Sequence, residues 1–185
     1  MITAKDLMFD DHPLLRTVVD EVPIPLTAED KDLMKKMAEY LKNSQDKKLA
    51  KAYGLKEGVG LAAPQIGLNK RIISVRAEDE TGELHDYVLA NPKVISHSEE
   101  LTYLPNGEGC LSVADEYLGI VPRYRRMKVK GYDGNGDLVQ VKVKDYIAII
   151  FQHEMDHLNG KLFYDHIDQE NPLMPIPGAK PIDFD

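Results

Sequence analysis

The residues best suited to chemistry are His153-Glu154-Met155-Asp156-His157. On a helix, positions four apart lie one above the other. Two imidazoles so placed can bind one metal ion, and the glutamate after the first can reach a metal-bound water. Buried imidazoles without partners are costly, and a metal supplies the partner. A catalytic metal usually takes three protein ligands and keeps one position for water. The extended protease pattern would put a third histidine at 163, but that residue is Phe163. His166 is out of step, and the only glutamate further along is Glu170. The other candidate lies upstream. Cys110 sits in a small-residue turn, Glu108-Gly109-Cys110-Leu111-Ser112, where a thiolate could face a metal. A lone cysteine is more often a small buried hydrophobe. Beside an incomplete two-histidine site, ligation becomes the stronger reading.

A third segment is Gly58-Val59-Gly60-Leu61-Ala62-Ala63-Pro64-Gln65-Ile66-Gly67. Its glycines permit close backbone approach, and Gln65 is its one side chain with hydrogen-bond donors. The glycine pair makes a poor phosphate loop: no evident strand precedes it, and neither a helix signal nor a suitably placed lysine follows.

These residues need elements to hold them. Asp145 can cap a helix and Asn159-Gly160 can end one, which predicts a helix over 145–158. Tyr146, Ile149, Ile150, His153 and His157 share one face; Ile147, Ala148, Phe151, Met155 and Leu158 cover another. A helix apolar on both faces belongs inside a domain. Thr27 opens a second helix, from about 28 to 43, with Leu33, Met34, Met37, Ala38 and Leu41 at helical spacing. Residues 43–58 are polar and lysine-rich and read as a surface excursion. Strands are predicted at 71–76 and at 87–90, the latter ended by Asn91-Pro92. Residues 127–132 and 138–144 alternate around Asp133-Gly-Asn-Gly-Asp137, which predicts a hairpin. Strands that follow one another without intervening helices favour an antiparallel α+β fold in a single domain, 1–185. Pro172, Pro175, Pro177 and Pro181 exclude a helical tail.

Composition narrows the function classes. The 185 residues carry 23 Lys+Arg against 31 Asp+Glu, a formal charge of −8. This argues against a protein whose main work is gripping nucleic acid. The single cysteine suits a reducing compartment. The N-terminus lacks a secretory h-region, and the longest run of large apolar residues, Ile147–Phe151, is too short to cross a bilayer. The expectation is a cytoplasmic protein.

Together, Gly58–Gln65, Glu108–Ser112 and Gln152–His157 resemble, in order and separation, the three signature motifs of the peptide deformylase family. His12-Pro-Leu-Leu-Arg16 resembles its N-terminal segment. The polar excursion and non-helical tail resemble the family's second type, found in Gram-positive bacteria. The resemblance implies antiparallel sheets packed around a central helix bearing the HExxH residues. It implies Cys110, His153 and His157 as ligands of Fe(II), which nickel, cobalt or, less well, zinc can replace. It implies Glu154 as general base and acid, and Gln65 with the Leu111 N–H as oxyanion donors. The implied reaction removes the formyl group from the N-terminal formyl-methionine of newly made chains, as metal-bound water attacks the formyl carbon and formate leaves.

Tyr146, Ile149 and Ile150 are natural walls for the methionine side chain, or else plain core. Val59, Gly60 and Leu61 could pair with an extended peptide, with Gly109 nearby. Glu108 and Arg123 could pair to hold the ligand turn. The expected partner is the formylated nascent peptide, with a monomeric enzyme, transient ribosome contact, no direct nucleic-acid binding and no membrane. Here the tail departs from the C-terminal helix that the family can use for such contact. Two alternatives stay open: an HExxH zinc endopeptidase, which Phe163 counts against, and a non-catalytic metal-binding module, which would need a fourth protein ligand.

Overall fold

The computed structural model describes residues 1–184. It contains three helices, α1 (Ala28–Ser44), α2 (Lys47–Tyr53) and α3 (Asp145–Leu158). The strands are β1 (Gly60–Ala62), β2 (Ile72–Glu78), β3 (Leu84–His97), β4 (Leu101–Tyr103), β5 (Arg123–Tyr124), β6 (Arg126–Tyr132), β7 (Leu138–Lys144) and β8 (Lys180–Pro181). Five of them form a sheet in the order β1-β2-β3-β6-β7, antiparallel throughout. The other three form a small sheet, β5-β4-β8, in which β8 runs parallel to β4. The arrangement is α+β.

The larger sheet is covered on both faces. Ile73, Val75, Leu89, Val129 and Val143 join Ile147, Ala148, Ile150 and Phe151 of α3 in one core cluster. Ile72 and Ala90 join Met34, Met37 and Leu41 of α1 in another. Both sides of β2 are therefore covered, and Ile72, Ile73, Ser74 and Val75 are all buried in succession. Nine of the fourteen residues of α3 are buried, among them His153, Glu154 and His157.

Thr27 accepts the Asp30 N–H at 3.1 Å and so opens α1 as the sequence predicts. The β6–β7 hairpin forms in the predicted place. Four local features differ from expectation. Residues 47–53 fold as α2, because Asp46 caps Lys48 and Leu49 and Gly54 closes the helix with φ +65°. The segment buries nothing, so no apolar period announced it. Gly60–Ala62 forms β1, an edge strand, in a segment for which no strand was predicted. Asn91-Pro92 does not end β3. Asn91 takes φ +51°, and the register shifts between Ala90 and Lys93 as β3 passes from β2 to β6. Asp145 does not cap α3; it lies inside the helix at φ +53° and accepts from Arg125 at 2.9 Å. The acceptor for the Tyr146 N–H is instead Glu80, at 2.6 Å, from the β2–β3 turn.

The tail is tied down. Thr102 donates its hydroxyl to the Lys180 carbonyl at 2.7 Å, and the Ile182 N–H donates to the Tyr103 carbonyl at 2.9 Å. Phe184 then meets the Tyr146 ring edge-on, 5.0 Å between centroids.

Candidate metal centre

α3 presents His153 and His157 one turn apart, their ring centroids 5.3 Å from each other. The loop before β5 brings Cys110 to them, with Sγ 3.3 Å from His157 Nε2. Ligand atoms of Cys110, His153 and His157 all lie within 4.8 Å of one another, and among the described residues no fourth side chain joins that group. The donor set, two imidazole nitrogens and a thiolate, suits a divalent transition ion with an open position.

The surrounding residues fix these donors. His153 Nδ1 meets Glu108 Oε1 at 2.8 Å, which leaves Nε2 for a ligand. Arg123 donates to both Glu108 oxygens, from Nε at 3.0 Å and from a terminal nitrogen at 2.9 Å. Its other terminal nitrogen donates to Asp156 at 2.8 Å, and Asp156 also meets His166 Nε2 at 2.8 Å. Burial alone would raise the Glu108 carboxyl, but Arg123 and His153 overcome it and hold it at about 2. Glu108 is therefore a permanent anion behind His153. Burial, reinforced by His153, pushes His157 down to about 3, so it stays a neutral imidazole.

Glu154 lies beside this centre. Burial dominates its environment and pushes its carboxyl up to about 7. Its Oε1 has no hydrogen-bond partner among the described residues, and neither does His157 Nδ1. Gly60 of β1 passes so close to Glu154 that a Cβ there would overlap the carboxylate. Gln65 is buried; its Oε1 accepts the Ala62 N–H at 2.8 Å, and its Nε2 sits 3.1 Å from Ser112 Oγ and 3.6 Å from Cys110 Sγ.

A cleft of about 660 Å³ opens onto these groups. Val59, Gly60, Gln65, Gly109, Cys110, Leu111, Tyr146, Ile149, Ile150, His153 and Glu154 all line it. Leu61 does not. It is fully buried in the core cluster with α1, because strand alternation turns it away from its neighbour Gly60.

A sequence profile described as polypeptide deformylase matches residues 4–172. The chain belongs to the peptide deformylase family. It is 51% identical over 183 residues to "Peptide deformylase 2" of Bacillus anthracis, covering 99% of this chain and 100% of that one. To "Peptide deformylase 2" of Bacillus subtilis (strain 168) it is 52% identical over 173 residues, 94% of each. Among solved structures it resembles the peptide deformylase from Thermus thermophilus, with a TM-score of 0.71, 31% identity, and coverage of 90% of this chain and 87% of that one. A probable peptide deformylase from Synechococcus phage S-SSM7 gives 0.70, 34%, 87% and 98%. The likeness to Bacillus relatives agrees with the Gram-positive character read from the sequence. Membership sets aside both the endopeptidase and the non-catalytic metal module.

The deformylase cleft also contains residues that sequence reasoning missed. Leu104, Asn106, Tyr117 and Leu118 line it from the irregular stretch between β4 and β5, where no periodicity marks an inward face. Phe163, the residue that breaks the protease pattern, stacks on His153 with centroids 5.9 Å apart and planes at 16°. Glu108 and Arg123 pair as expected, while His166 and Asp156 extend their network. No helix of this deformylase is long and apolar enough to cross a membrane, among the described residues.

Proposed function

We propose that the chain hydrolyses the N-formyl group of formyl-methionine at the start of newly made polypeptides, releasing formate. The observation that carries this is the meeting of Cys110, His153 and His157 beside buried Glu154, whose Oε1 has no hydrogen-bond partner among the described residues, at a cleft of about 660 Å³. Cys110 Sγ and the two histidine Nε2 atoms would hold a divalent ion, Fe(II) by family resemblance, with nickel, cobalt or zinc as replacements. Such an ion supplies Lewis acidity and brings the pKa of water toward neutrality.

The protein's own groups do the rest. Glu154, poised at about 7, takes a proton from the attacking water and passes it to the departing amine. Gln65 Nε2 and the Leu111 N–H, which has no protein acceptor among the described residues, meet the charge that grows on the formyl oxygen. One such donor is worth about 3 kcal/mol of barrier. Tyr146, Ile149 and Ile150 form the wall of the methionine slot. Gly60, at the free edge of β1, offers backbone groups to an extended peptide, while the neighbouring Val59, whose carbonyl accepts the Arg76 N–H at 2.8 Å, lines the cleft. Leu61 contributes no side chain to that contact. The enzyme acts as a cytoplasmic monomer built as one domain.

The test is formate release from a formyl-methionyl peptide by anaerobically metal-loaded protein. Metal-replete protein that releases no formate refutes the proposal.

A further inference from the structure

The excursion that carries α2 leaves α1 at Ser44 and Gln45 and returns at Gly58, and side chains tie its two ends together. Ser44 Oγ accepts the Gly58 N–H at 3.2 Å. Gln45 Nε2 donates to the Gly58 carbonyl at 2.8 Å. The same nitrogen donates to the Arg76 carbonyl of β2, also at 2.8 Å. Arg76 in turn donates to Gln45 Oε1 at 2.6 Å, which fixes which way round the amide sits. Both amide protons of Gln45 therefore meet backbone carbonyls from distant parts of the chain.

Closing α1 does not require this side chain, because the Gln45 N–H already donates to the Leu41 carbonyl at 3.2 Å. Its effect falls on the β1–β2 ladder. The outermost paired residues are Gly60 and Val75, and one further rung follows, from the Arg76 N–H to the Val59 carbonyl at 2.8 Å. Past that rung Gly58 bonds to Ser44 and Gln45 instead of to β2. The anchor is firm, since Met34, Met37, Tyr40 and Leu41 of α1 are all buried. The segment so held is the one that meets the site. A Cβ on Gly58 would lie 2.8 Å from Leu111 Cδ1, and one on Gly60 would overlap Glu154. Val59 and Gly60 line the cleft, whereas Gln45 does not. A shift of Gly58 would therefore move the peptide edge against Leu111 and Glu154.

We propose that Gln45 is a positioning residue: through Gly58 it sets the β1 edge where an extended peptide can pair with it, and so governs affinity for the residues that follow the formyl-methionine. This rests on the deformylase reading above.

The test compares two substrates of the full, anaerobically metal-loaded chain. Formyl-methioninamide has no residue after the methionine, and formyl-Met-Ala-Ser has an extended backbone to pair. The unaltered enzyme should show the lower KM for the longer substrate. Gln45→Ala should raise that KM about tenfold, with kcat within about twofold and the short substrate unaffected. Gln45→Glu keeps an acceptor for Arg76, and so the fold, but has no proton for either carbonyl. It should raise the KM of the longer substrate at least as far. A merely structural role would lower the melting temperature and harm both substrates alike. Equal loss on both, an unchanged KM for the longer substrate in either variant, or an unaltered enzyme that gains nothing from the added residues overturns the inference. If the unaltered enzyme releases no formate, the assigned reaction fails instead. Calorimetric binding of Met-Ala-Ser against methioninamide by the same three proteins then decides the role of Gln45 by the same contrast.

Discussion

Replacing Arg123 with methionine tests whether the metal centre depends on the ion pair behind it. The Arg123 and Glu108 side chains are each 3% exposed. Arg123 supplies two of the three contacts to the Glu108 carboxylate; the third comes from His153. Asp156 keeps His166 when the arginine goes, so the damage falls on Glu108. Breaking a buried pair from one side costs about 3–5 kcal/mol, because the remaining charge stays dry and unpaired. For a chain of this length that lowers the melting temperature by roughly 10 °C. Burial then dominates Glu108, its carboxyl takes up a proton, and it no longer holds His153 Nδ1–H as an anion does. Loss of such an outer hydrogen bond lowers metal affinity about 10- to 100-fold.

Calorimetry reads the first effect, and chelator competition with elemental analysis reads the second. Arg123→Lys keeps the charge but not the fork, so it should recover only part of either. Combining Arg123→Met with Glu108→Gln removes both charges and should cost less than the sum of the two changes. Unchanged melting and unchanged metal affinity in Arg123→Met would refute the reasoning.

Glu154→Ala should retain its metal by elemental analysis yet lose about 10²- to 10⁴-fold in formate release, the usual worth of a positioned general base. Cys110→Ala should empty or loosen the centre; full occupancy would remove Cys110 from the ligand set. Glu80→Ala removes the one side-chain acceptor at the start of α3 and should cost about 1 kcal/mol, seen as a melting shift of about 3 °C with metal content unchanged. Asp79 is held below the ordinary carboxyl value of 3.8, first by the Thr81 hydroxyl and then by His85. Its contribution to stability is therefore full above that value and lost as pH falls, so Asp79→Asn should flatten the acid limb of unfolding followed by circular dichroism.

The sequence made α3 legible because its signals are local: apolar faces, a stop at Asn159-Gly160, and histidines at helical spacing. Its cap was misread for the opposite reason. Glu80 lies 66 positions away in the chain, and no local pattern ties it to Tyr146. The same distance problem hid the ligand set. Cys110 is 43 residues before His153, so only the incomplete two-histidine site, and then the family resemblance, pointed to it; the fold brings its sulfur to His157. Asn91-Pro92 has the composition of a strand end, yet it sits where β3 changes partner, so a residue without an N–H falls between two registers. Leu61 is expected to offer backbone to a peptide; its side chain, by the two-residue period of a strand, packs into the core cluster with α1. Phe163 was legible only as a missing histidine; its packing on His153 needed the coordinates.

The moored tail governs where this enzyme can accept added length. Residues 168–179 make few ties of their own, while Thr102 and Tyr103 anchor what comes next and Phe184 braces Tyr146. A peptide inserted within that span can bulge outward and leave the brace intact. The same peptide spliced between Ile182 and Phe184 would pull the brace from Tyr146, the proposed wall of the methionine slot, so on that proposal its penalty would surface as altered substrate preference before any loss of folding.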